Sequence, residues 1–233
     1  MNLIKYIPNT FTTLNLLTGC LGLIAIYEGN LAQGAMFILI GSVFDFLDGF
    51  SARILKAISG IGKQLDSLAD LVTFGILPAF LLYHMIQEDG IPYLPMVSLL
   101  VVIGSAFRLA KFNIDENQKD VFKGMPTPAN AFLIAGLVFA WDADWEAFSF
   151  IYSNPAGLVI FTVICSFLLN APLRFMSFKI KEFALKGNEL SLLLVLVSII
   201  LLIIFNLKGI FPATLFYILL SLGQNIFNKK SVS

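Results

Sequence analysis

The chain contains 233 residues, of which 58% are hydrophobic and 13% are charged, and its mean hydropathy is +0.87. Lys and Arg together equal Asp and Glu in number, so the formal net charge is zero and no global basic field for nucleic acid exists. This composition lies outside the usual range of soluble globular domains and predicts a multi-pass membrane protein.

Eight apolar runs approach the length of a membrane span, because a helix rising about 1.5 Å per residue needs about 20 residues to cross about 30 Å of hydrocarbon. They cover residues 10–27, 31–53, 64–86, 92–112, 127–142, 155–173, 188–206 and 210–227. The fifth run is short and ends in acidic residues. We expect an all-α integral membrane protein in which residues 1–233 form one membrane-embedded domain.

Basic residues are concentrated in alternate connections between these runs, which the positive-inside rule assigns to the cytoplasm. The predicted inner segments contain Lys5, Arg53, Lys56, Lys63, Arg108, Lys111, Lys119, Lys123, Arg174, Lys179, Lys181, Lys186, Lys229 and Lys230. Lys208 is the exception. The pattern predicts an even number of spans with both termini cytoplasmic, in the cytoplasmic membrane of the cell.

Four aspartates lie where the second and third runs approach each other in sequence. Asp45 and Asp48 are near the end of the second run, and Asp66 and Asp70 are near the start of the third. Spacings of three and four residues place each pair on one face of its helix. Across a connecting loop at residues 60–62, two antiparallel helices can therefore direct four carboxylates at one another.

Carboxylates in or beside hydrocarbon are costly, and they usually pair with a cation or bind a metal. Oxygen ligands alone favour hard divalent ions such as Mg²⁺, Mn²⁺ or Ca²⁺ over zinc. A simpler interpretation is that the aspartates pair with Arg53, Lys56 and Lys63 at a helix end. A cation-coupled transporter also uses intramembrane carboxylates, but commonly near the bilayer midplane. A cluster toward one interface favours chemistry on a lipid headgroup.

The whole stretch spells D-x2-D-G-x2-A-R-x8-G-x3-D-x3-D. Its fixed positions are Asp45, Asp48, Gly49, Ala52, Arg53, Gly62, Asp66 and Asp70. In this signature the chain resembles the CDP-alcohol phosphotransferase family of integral membrane enzymes. Within that family, the segments IPNTFTTLNLLTGC, DSLADLVTFGILPA, FRLAKFN and FKGMPTPANA resemble the phosphatidylserine synthase branch. The resemblance implies a helical-bundle catalytic domain that transfers a substituted phosphate from a CDP-linked donor to an alcohol and releases CMP.

The resemblance also implies roles for individual residues. Asp45, Asp48, Asp66 and Asp70 would hold two divalent cations, Mg²⁺ or Mn²⁺, with Ca²⁺ as a non-productive occupant. Asp70 would in addition take the proton from the acceptor hydroxyl. The residues that would line the nucleotide and its phosphates are Gly49, Ala52, Arg53, Gly62, Asn9 and Thr10. Asn9 and Thr10 can equally be N-caps of the first helix.

The implied donor is CDP-diacylglycerol or CDP-archaeol, and the implied acceptor is L-serine. Because serine carries a carboxylate, we expect a cation close to the metals. The predicted acceptor pocket lies within residues 108–130 and contains Arg108, Lys111, Lys123 and Thr127, with Asn130 as a further hydrogen-bonding residue. The same basic residues also satisfy the positive-inside rule. Glycerol phosphate, inositol phosphate and other alcohols are alternative acceptors. The resemblance also implies a homodimer.

Overall fold

The computed structural model describes residues 6–57, 59–87, 90–114, 122–176 and 189–230, with the backbone alone for 122–123 and 226–230. The helices are α1 (Ile7–Tyr27), α2 (Leu31–Ile54), α3 (Gly60–Asp70), α4 (Leu77–Gln87), α5 (Leu99–Ile114), α6 (Thr127–Asp142), α7 (Ser149–Tyr152), α8 (Pro155–Asn170), α9 (Glu189–Phe205) and α10 (Ile210–Lys230). Strands β1 (Phe122–Lys123) and β2 (Arg174–Phe175) pair antiparallel. The described chain is otherwise helical, as the sequence predicted.

Five helical stretches are long and apolar enough to cross a membrane: Ile7–Tyr27, Leu31–Ile54, Gly60–Gln87, Leu94–Ile114 and Glu189–Asn225. A sixth results if Glu146–Tyr152 and Pro155–Asn170, which meet at 86°, form one broken span. The protein is therefore a multi-pass membrane protein, with five to six spans by this criterion where the sequence predicted eight.

The fifth predicted span accounts for part of this difference. α6 contains 16 residues, which corresponds to about 24 Å and is less than the hydrocarbon thickness of about 30 Å. Its residues 133–140 are all buried, and it packs against α2, α4 and α10. Hydropathy alone does not distinguish such a central core helix from a lipid-exposed span.

The remaining difference concerns the stretch Glu189–Asn225, which the sequence divides into two runs. A 3₁₀ turn at Asn206–Gly209 interrupts it, and Asn206 has a φ of 53°. A side chain at Gly209 would collide with the carbonyl oxygen of Leu201, whereas a straight helix separates residues eight apart by about 12 Å. The chain therefore reverses here, and α9 and α10 form a hairpin.

The connection between α2 and α3 is shorter than predicted. The side chain of Ser59 accepts a hydrogen bond from the Gly62 amide at 3.0 Å and caps α3. Gly60 and Gly62 consequently lie in the first turn of α3, and the prediction that they belong to a loop was wrong. A Ser N-cap satisfies one of the amides that a helix start leaves unpaired.

A π-helical segment, Leu71–Ile76, follows α3 directly. Within it, Thr73 Oγ1 donates a hydrogen bond to the carbonyl oxygen of Asn15 at 2.9 Å. A Cβ atom at Gly19 would lie 2.6 Å from Thr73 Oγ1, and one at Gly41 would lie 2.5 Å from Thr73 Cγ2. α1 and α2 therefore approach the π-helix so closely that only glycine fits at positions 19 and 41. Single π-helical turns occur frequently at functional sites, and this one begins immediately after Asp70.

Candidate active site

The aspartates of α2 and α3 face each other. Carboxylate oxygens of Asp45, Asp48 and Asp66 all lie within 4.8 Å of one another. Asp70, one turn beyond Asp66, also approaches Asp45. Asp48 and Asp70 are buried, with 7% and 9% of their surface exposed, and the other two are half-buried. The helical spacing seen in the sequence therefore produces one compact group of carboxylates.

Nearby basic residues do not neutralise this group. Arg53 and Lys56 are exposed, and Lys63 Nζ donates a hydrogen bond to the carbonyl oxygen of Asn113 at 2.8 Å. Within the described ranges, neither Lys nor Arg forms an ion pair with any of the four aspartates. The simpler interpretation, in which the aspartates pair with these cations, has no support in this part of the chain.

The group fits a divalent cation. Asp66 Oδ1 is buried and has no hydrogen-bond partner among the described residues, and an unsatisfied buried polar atom costs about 1–3 kcal/mol. Three carboxylates within 4.8 Å offer the anionic oxygen ligands that hard ions such as Mg²⁺ and Mn²⁺ prefer. A divalent cation at Asp45, Asp48 and Asp66 would satisfy the orphaned oxygen and balance the charge.

Helix α1 contributes two residues that sequence reasoning missed. Thr12 Oγ1 donates a hydrogen bond to Asp48 Oδ2 at 2.8 Å, and Asn15 Nδ2 donates one to Asp70 Oδ1 at 3.1 Å. Both are buried. The available signal was two polar residues three positions apart, which places them on one face of a largely apolar helix. They hold one carboxylate on each of the two helices that carry the aspartates.

The predicted nucleotide residues lie on α1, α2 and α3, the helices that carry the aspartates and their hydrogen-bond partners. A side chain at Gly49 would meet open space, whereas one at Gly62 would approach Asn9 Oδ1 at 3.0 Å. Arg53 is exposed one turn beyond Gly49, and Ala52 is half-buried. Thr10 is also exposed, and its Oγ1 donates to the Tyr6 carbonyl oxygen at 3.1 Å.

The N-cap interpretation of Asn9 and Thr10 was wrong. α1 begins at Ile7, with Tyr6 as its N-cap, so both residues lie in the first turn of the helix. The helix starts before the predicted apolar run because Pro8 near its beginning suits an N-terminal helical position.

Two acceptor candidates are connected by the loop that precedes α6. Arg108 has 5% of its surface exposed, and its Nε donates a hydrogen bond to the Met125 carbonyl oxygen at 3.1 Å. Thr127, the first residue of α6, is also buried. Lys111 is exposed, and its Nζ donates to Asn170 Oδ1 at 3.0 Å. The Lys123 side chain and residues 115–121 lie outside the described part of the chain.

Further buried polar groups lie close to these candidates in sequence. Asn130, one turn into α6, is fully buried, and neither its Nδ2 nor its Oδ1 has a partner in the described chain. Ser105 Oγ, one turn before Arg108 in α5, is equally buried and unpartnered there, and Ser105 contacts Gly75 of the π-helix. Buried polar atoms normally have a protein or water partner, so these groups are suited to a polar ligand.

Comparison with known proteins identifies similar sequences over most of the chain. A family model described as CDP-alcohol phosphatidyltransferase matches residues 5–168, a range that contains the four aspartates and all acceptor candidates. The chain is 36% identical over 176 residues to the CDP-diacylglycerol--serine O-phosphatidyltransferase of Bacillus subtilis, with 75% of this chain and 92% of the relative covered.

Two other relatives extend the comparison. The chain is 30% identical over 208 residues to the CDP-diacylglycerol--serine O-phosphatidyltransferase of Helicobacter pylori, and the match covers 88% of this chain and 84% of the relative. It is 33% identical over 131 residues to the archaetidylserine synthase of Methanothermobacter thermautotrophicus, covering 55% and 56% of the two chains.

Proposed function

Because the chain belongs to the CDP-alcohol phosphatidyltransferase family, we propose that this enzyme transfers the phosphatidyl group of CDP-diacylglycerol to the hydroxyl of L-serine. The products are phosphatidylserine and CMP. The observation that carries the proposal is the compact carboxylate group of Asp45, Asp48 and Asp66, with Asp70 held beside it by Asn15. Serine as the acceptor is supported by the names of the Bacillus and Helicobacter relatives.

We assign Asp45, Asp48, Asp66 and Asp70 to two divalent cations, Mg²⁺ or Mn²⁺, as the family resemblance implies. When bound, such cations neutralise charge on a pyrophosphate and stabilise the leaving oxygen. The protein's own contribution is to hold the carboxylates in place through Thr12 on α1 and through the close contact of α1, α2 and the π-helix. Preorganised ligands need little rearrangement during the reaction.

The nucleotide is assigned to the open side of the carboxylate group. Gly49 leaves space there for the donor, and Arg53 offers a planar cation suited to bidentate contact with phosphate. Ala52, Gly62, Asn9 and Thr10 complete the proposed nucleotide site. Of these, Asn9 is supported by its position beside the start of α3, where a Cβ added at Gly62 would lie 3.0 Å from Asn9 Oδ1.

Asp70 is assigned as the general base. The serine Oγ attacks the phosphorus that carries diacylglycerol, and a new P–O bond forms. The P–O bond to CMP breaks, and CMP leaves with the electron pair. The hydroxyl proton passes to Asp70, whose carboxylate is oriented by the hydrogen bond from Asn15. General-base catalysis requires such a group within hydrogen-bond reach of the proton, and no covalent enzyme intermediate is needed.

The acceptor is assigned to the buried polar region between the π-helix, α5 and α6. Arg108 supplies a guanidinium for the serine carboxylate, and Thr127 and Asn130 supply hydrogen bonds. Support comes from the burial of all three residues and from the unpartnered amide of Asn130. Lys123, on the strand that leads into this loop, is a second cation for the carboxylate.

The alternative of a cation-coupled transporter is not supported, because the chain belongs to a family of transferases. Glycerol phosphate and inositol phosphate remain the competing acceptors within the family. We propose that the site faces the cytoplasm at the cytoplasmic membrane, since Arg53, Lys63 and Arg108 lie at the aspartate end of α2, α3 and α5, and Lys56 lies in the connection between α2 and α3. The homodimer and the single catalytic domain stay predictions.

The proposed product can be identified directly. Purified protein is incubated with isotopically labelled serine, Mn²⁺ and either CDP-diacylglycerol or CDP-archaeol, and the extracted lipid is analysed by mass spectrometry. We expect the label in a lipid with a phosphoserine headgroup, and only when the CDP-lipid is present. Label in lipid without a CDP-lipid, or no labelled lipid while glycerol phosphate or inositol phosphate is incorporated, would refute serine as the acceptor.

A further inference from the structure

A cavity of about 480 Å³ lies between α5 and α8, open at the protein surface. Its walls are formed by the face of α5 from Leu100 to Lys111 and the face of α8 from Val163 to Asn170. Among its walls, Phe107 and Phe167 have 61% and 64% of their surface exposed. In a membrane protein this α5–α8 groove is an indentation that lipid can enter.

The polar side chains at one end of the groove form a short hydrogen-bonded chain. Lys111 Nζ donates to Asn170 Oδ1 at 3.0 Å, and Asn170 Nδ2 donates to the Gly104 carbonyl oxygen at 2.8 Å. Since an ammonium group has three N–H donors, two remain for another partner. The hydrogen bond from Lys111 thus holds a positive charge at the end of an otherwise largely apolar groove.

The length and position of the groove match one leaflet of a bilayer. Leu100 and Lys111 are separated by about 16 Å along the helix axis, roughly half of the hydrocarbon thickness of about 30 Å. The Lys111 end is also the aspartate end, because Asn113 Nδ2 donates a hydrogen bond to Ser67 Oγ of α3 at 2.8 Å. A chain in the groove would therefore run from headgroup depth toward the bilayer centre.

The groove is separate from the candidate active site. The hydrogen bonds that hold the aspartates come from Thr12 and Asn15 on α1, whereas the groove lies between α5 and α8. On α5, the mean direction of its lining residues is about a third of a turn around the helix from that of Ser105 and Arg108. A ligand in the groove does not need the nucleotide site.

We propose that the α5–α8 groove binds one anionic phospholipid of the bilayer, with an acyl chain along its apolar walls and an anionic headgroup on Lys111. The charge of Lys111 and the leaflet length of the groove both fit this occupant, since basic residues at headgroup depth attract anionic lipids. This gives Lys111 a role distinct from the acceptor contact predicted from the sequence. The inference rests on the groove itself and does not depend on serine as the acceptor.

A tryptophan reporter tests the proposal. The variant Phe107→Trp is reconstituted in nanodiscs containing brominated phosphatidylglycerol or, at the same mole fraction, brominated phosphatidylcholine, and wild-type quenching is subtracted. We expect about fivefold stronger apparent association of the anionic lipid, the preference of one basic residue near the membrane surface. Adding Lys111→Ala should remove this preference, whereas adding Lys63→Ala should preserve it. The reporter Ile203→Trp, on the exposed side of α9, should show equal quenching by both lipids.

Three results would overturn the proposal. Equal quenching of Phe107→Trp by both lipids would identify ordinary boundary lipid. Quenching by neither lipid would indicate that a second copy of the chain covers the groove. Loss of quenching on addition of unbrominated CDP-diacylglycerol, but not of unbrominated phosphatidylglycerol, would assign the groove to the substrate's acyl chain.

Discussion

The side-chain amide of Asn15 donates a hydrogen bond to Asp70 Oδ1 at 3.1 Å, connecting residues 55 positions apart in the chain. The backbone of Asn15 contacts the π-helix that follows Asp70, because its carbonyl oxygen accepts the hydrogen bond from Thr73 Oγ1. Asn15 is fully buried. Helix α1 therefore fixes the orientation of the carboxylate that we assign as the general base.

Replacing Asn15 by Ala should lower kcat more than it raises the KM for CDP-diacylglycerol. A hydrogen bond to a charged group contributes about 1.5–3 kcal/mol, so we expect a roughly 10- to 100-fold lower kcat. Steady-state CMP release measures both constants. The control is Thr13→Ala, on the exposed side of α1. An increase in KM alone would show that Asn15 serves donor binding rather than orientation of Asp70.

Replacing Asp70 by Asn removes the proposed base while keeping the size of the side chain. Turnover should fall by a factor of about 10² to 10⁴, the usual contribution of general acid–base catalysis, while CDP-diacylglycerol still binds. Single-turnover CMP release and equilibrium binding of the CDP-lipid separate the two effects. The exposed Asp142→Asn variant serves as the control. Undiminished turnover of Asp70→Asn would remove the base assignment.

Divalent cations should stabilise the folded protein through the carboxylate group of Asp45, Asp48 and Asp66. A ligand that binds only the folded state contributes about 2.7 kcal/mol at 100 times its dissociation constant. Mn²⁺ should therefore raise the unfolding temperature of the wild type in detergent, and Asp66→Ala should show a much smaller rise. The same rise in both proteins would place the stabilising ion elsewhere.

Asn130 tests the acceptor pocket independently of the metals. Its replacement by Ala should raise the KM for serine roughly tenfold, equivalent to about one hydrogen bond, with little change in the KM for CDP-diacylglycerol. Ser98→Ala is a matched control, because Ser98 Oγ is also buried and unpartnered among the described residues. Ser98 lies near the start of the span Leu94–Ile114, whereas the acceptor candidate Arg108 lies toward its end. If both KM values rise equally, Asn130 does not contact the acceptor.

Lys208, the exception to the predicted charge distribution, belongs to an aromatic cluster remote from the site. Its Nζ lies 5.2 Å from the centre of the Trp145 ring, which also contacts Phe148 and Phe205 at ring distances of 5.1 and 4.9 Å. Trp145→Ala should cost about 3 kcal/mol of stability without changing kcat. Thermal unfolding and CMP release at low temperature measure the two quantities, with the exposed Phe150→Ala as control. A large loss of kcat in the folded variant would contradict this purely structural role.

The carboxylate group could be predicted from the sequence because helical spacing is local. Asp45 and Asp48 need only the periodicity of α2 to share a face, and Asp66 and Asp70 need only that of α3. The partners Thr12 and Asn15 lie 36 and 55 positions away from the aspartates that they contact. No local pattern specifies such contacts, which depend on how α1 packs against α2 and α3.

Two features of the fold had no usable signal in the sequence. The π-helix Leu71–Ile76 contains no residue type that marks a change from α-helical hydrogen bonding, and it is held by tertiary contacts such as that of Thr73 with Asn15. The apolar composition of α6 predicted a lipid-spanning length, whereas the helix has only 16 residues and is surrounded by α2, α4 and α10. An apolar composition indicates that a segment is removed from water, but it does not distinguish a helix surrounded by lipid from one surrounded by protein.

We propose that the aspartates of α2 and α3 support transfer of the phosphatidyl group from a CDP-lipid to serine. The most direct measurement is CMP release by purified protein with CDP-diacylglycerol and Mn²⁺, comparing serine, glycerol phosphate, inositol phosphate and water alone, for the wild type and Asp66→Asn. We predict release that requires serine and the metal and that is nearly lost in Asp66→Asn. Release that is no faster with serine than with water, while another alcohol accelerates it, would contradict the choice of serine. Undiminished release by Asp66→Asn would contradict the role of the aspartates.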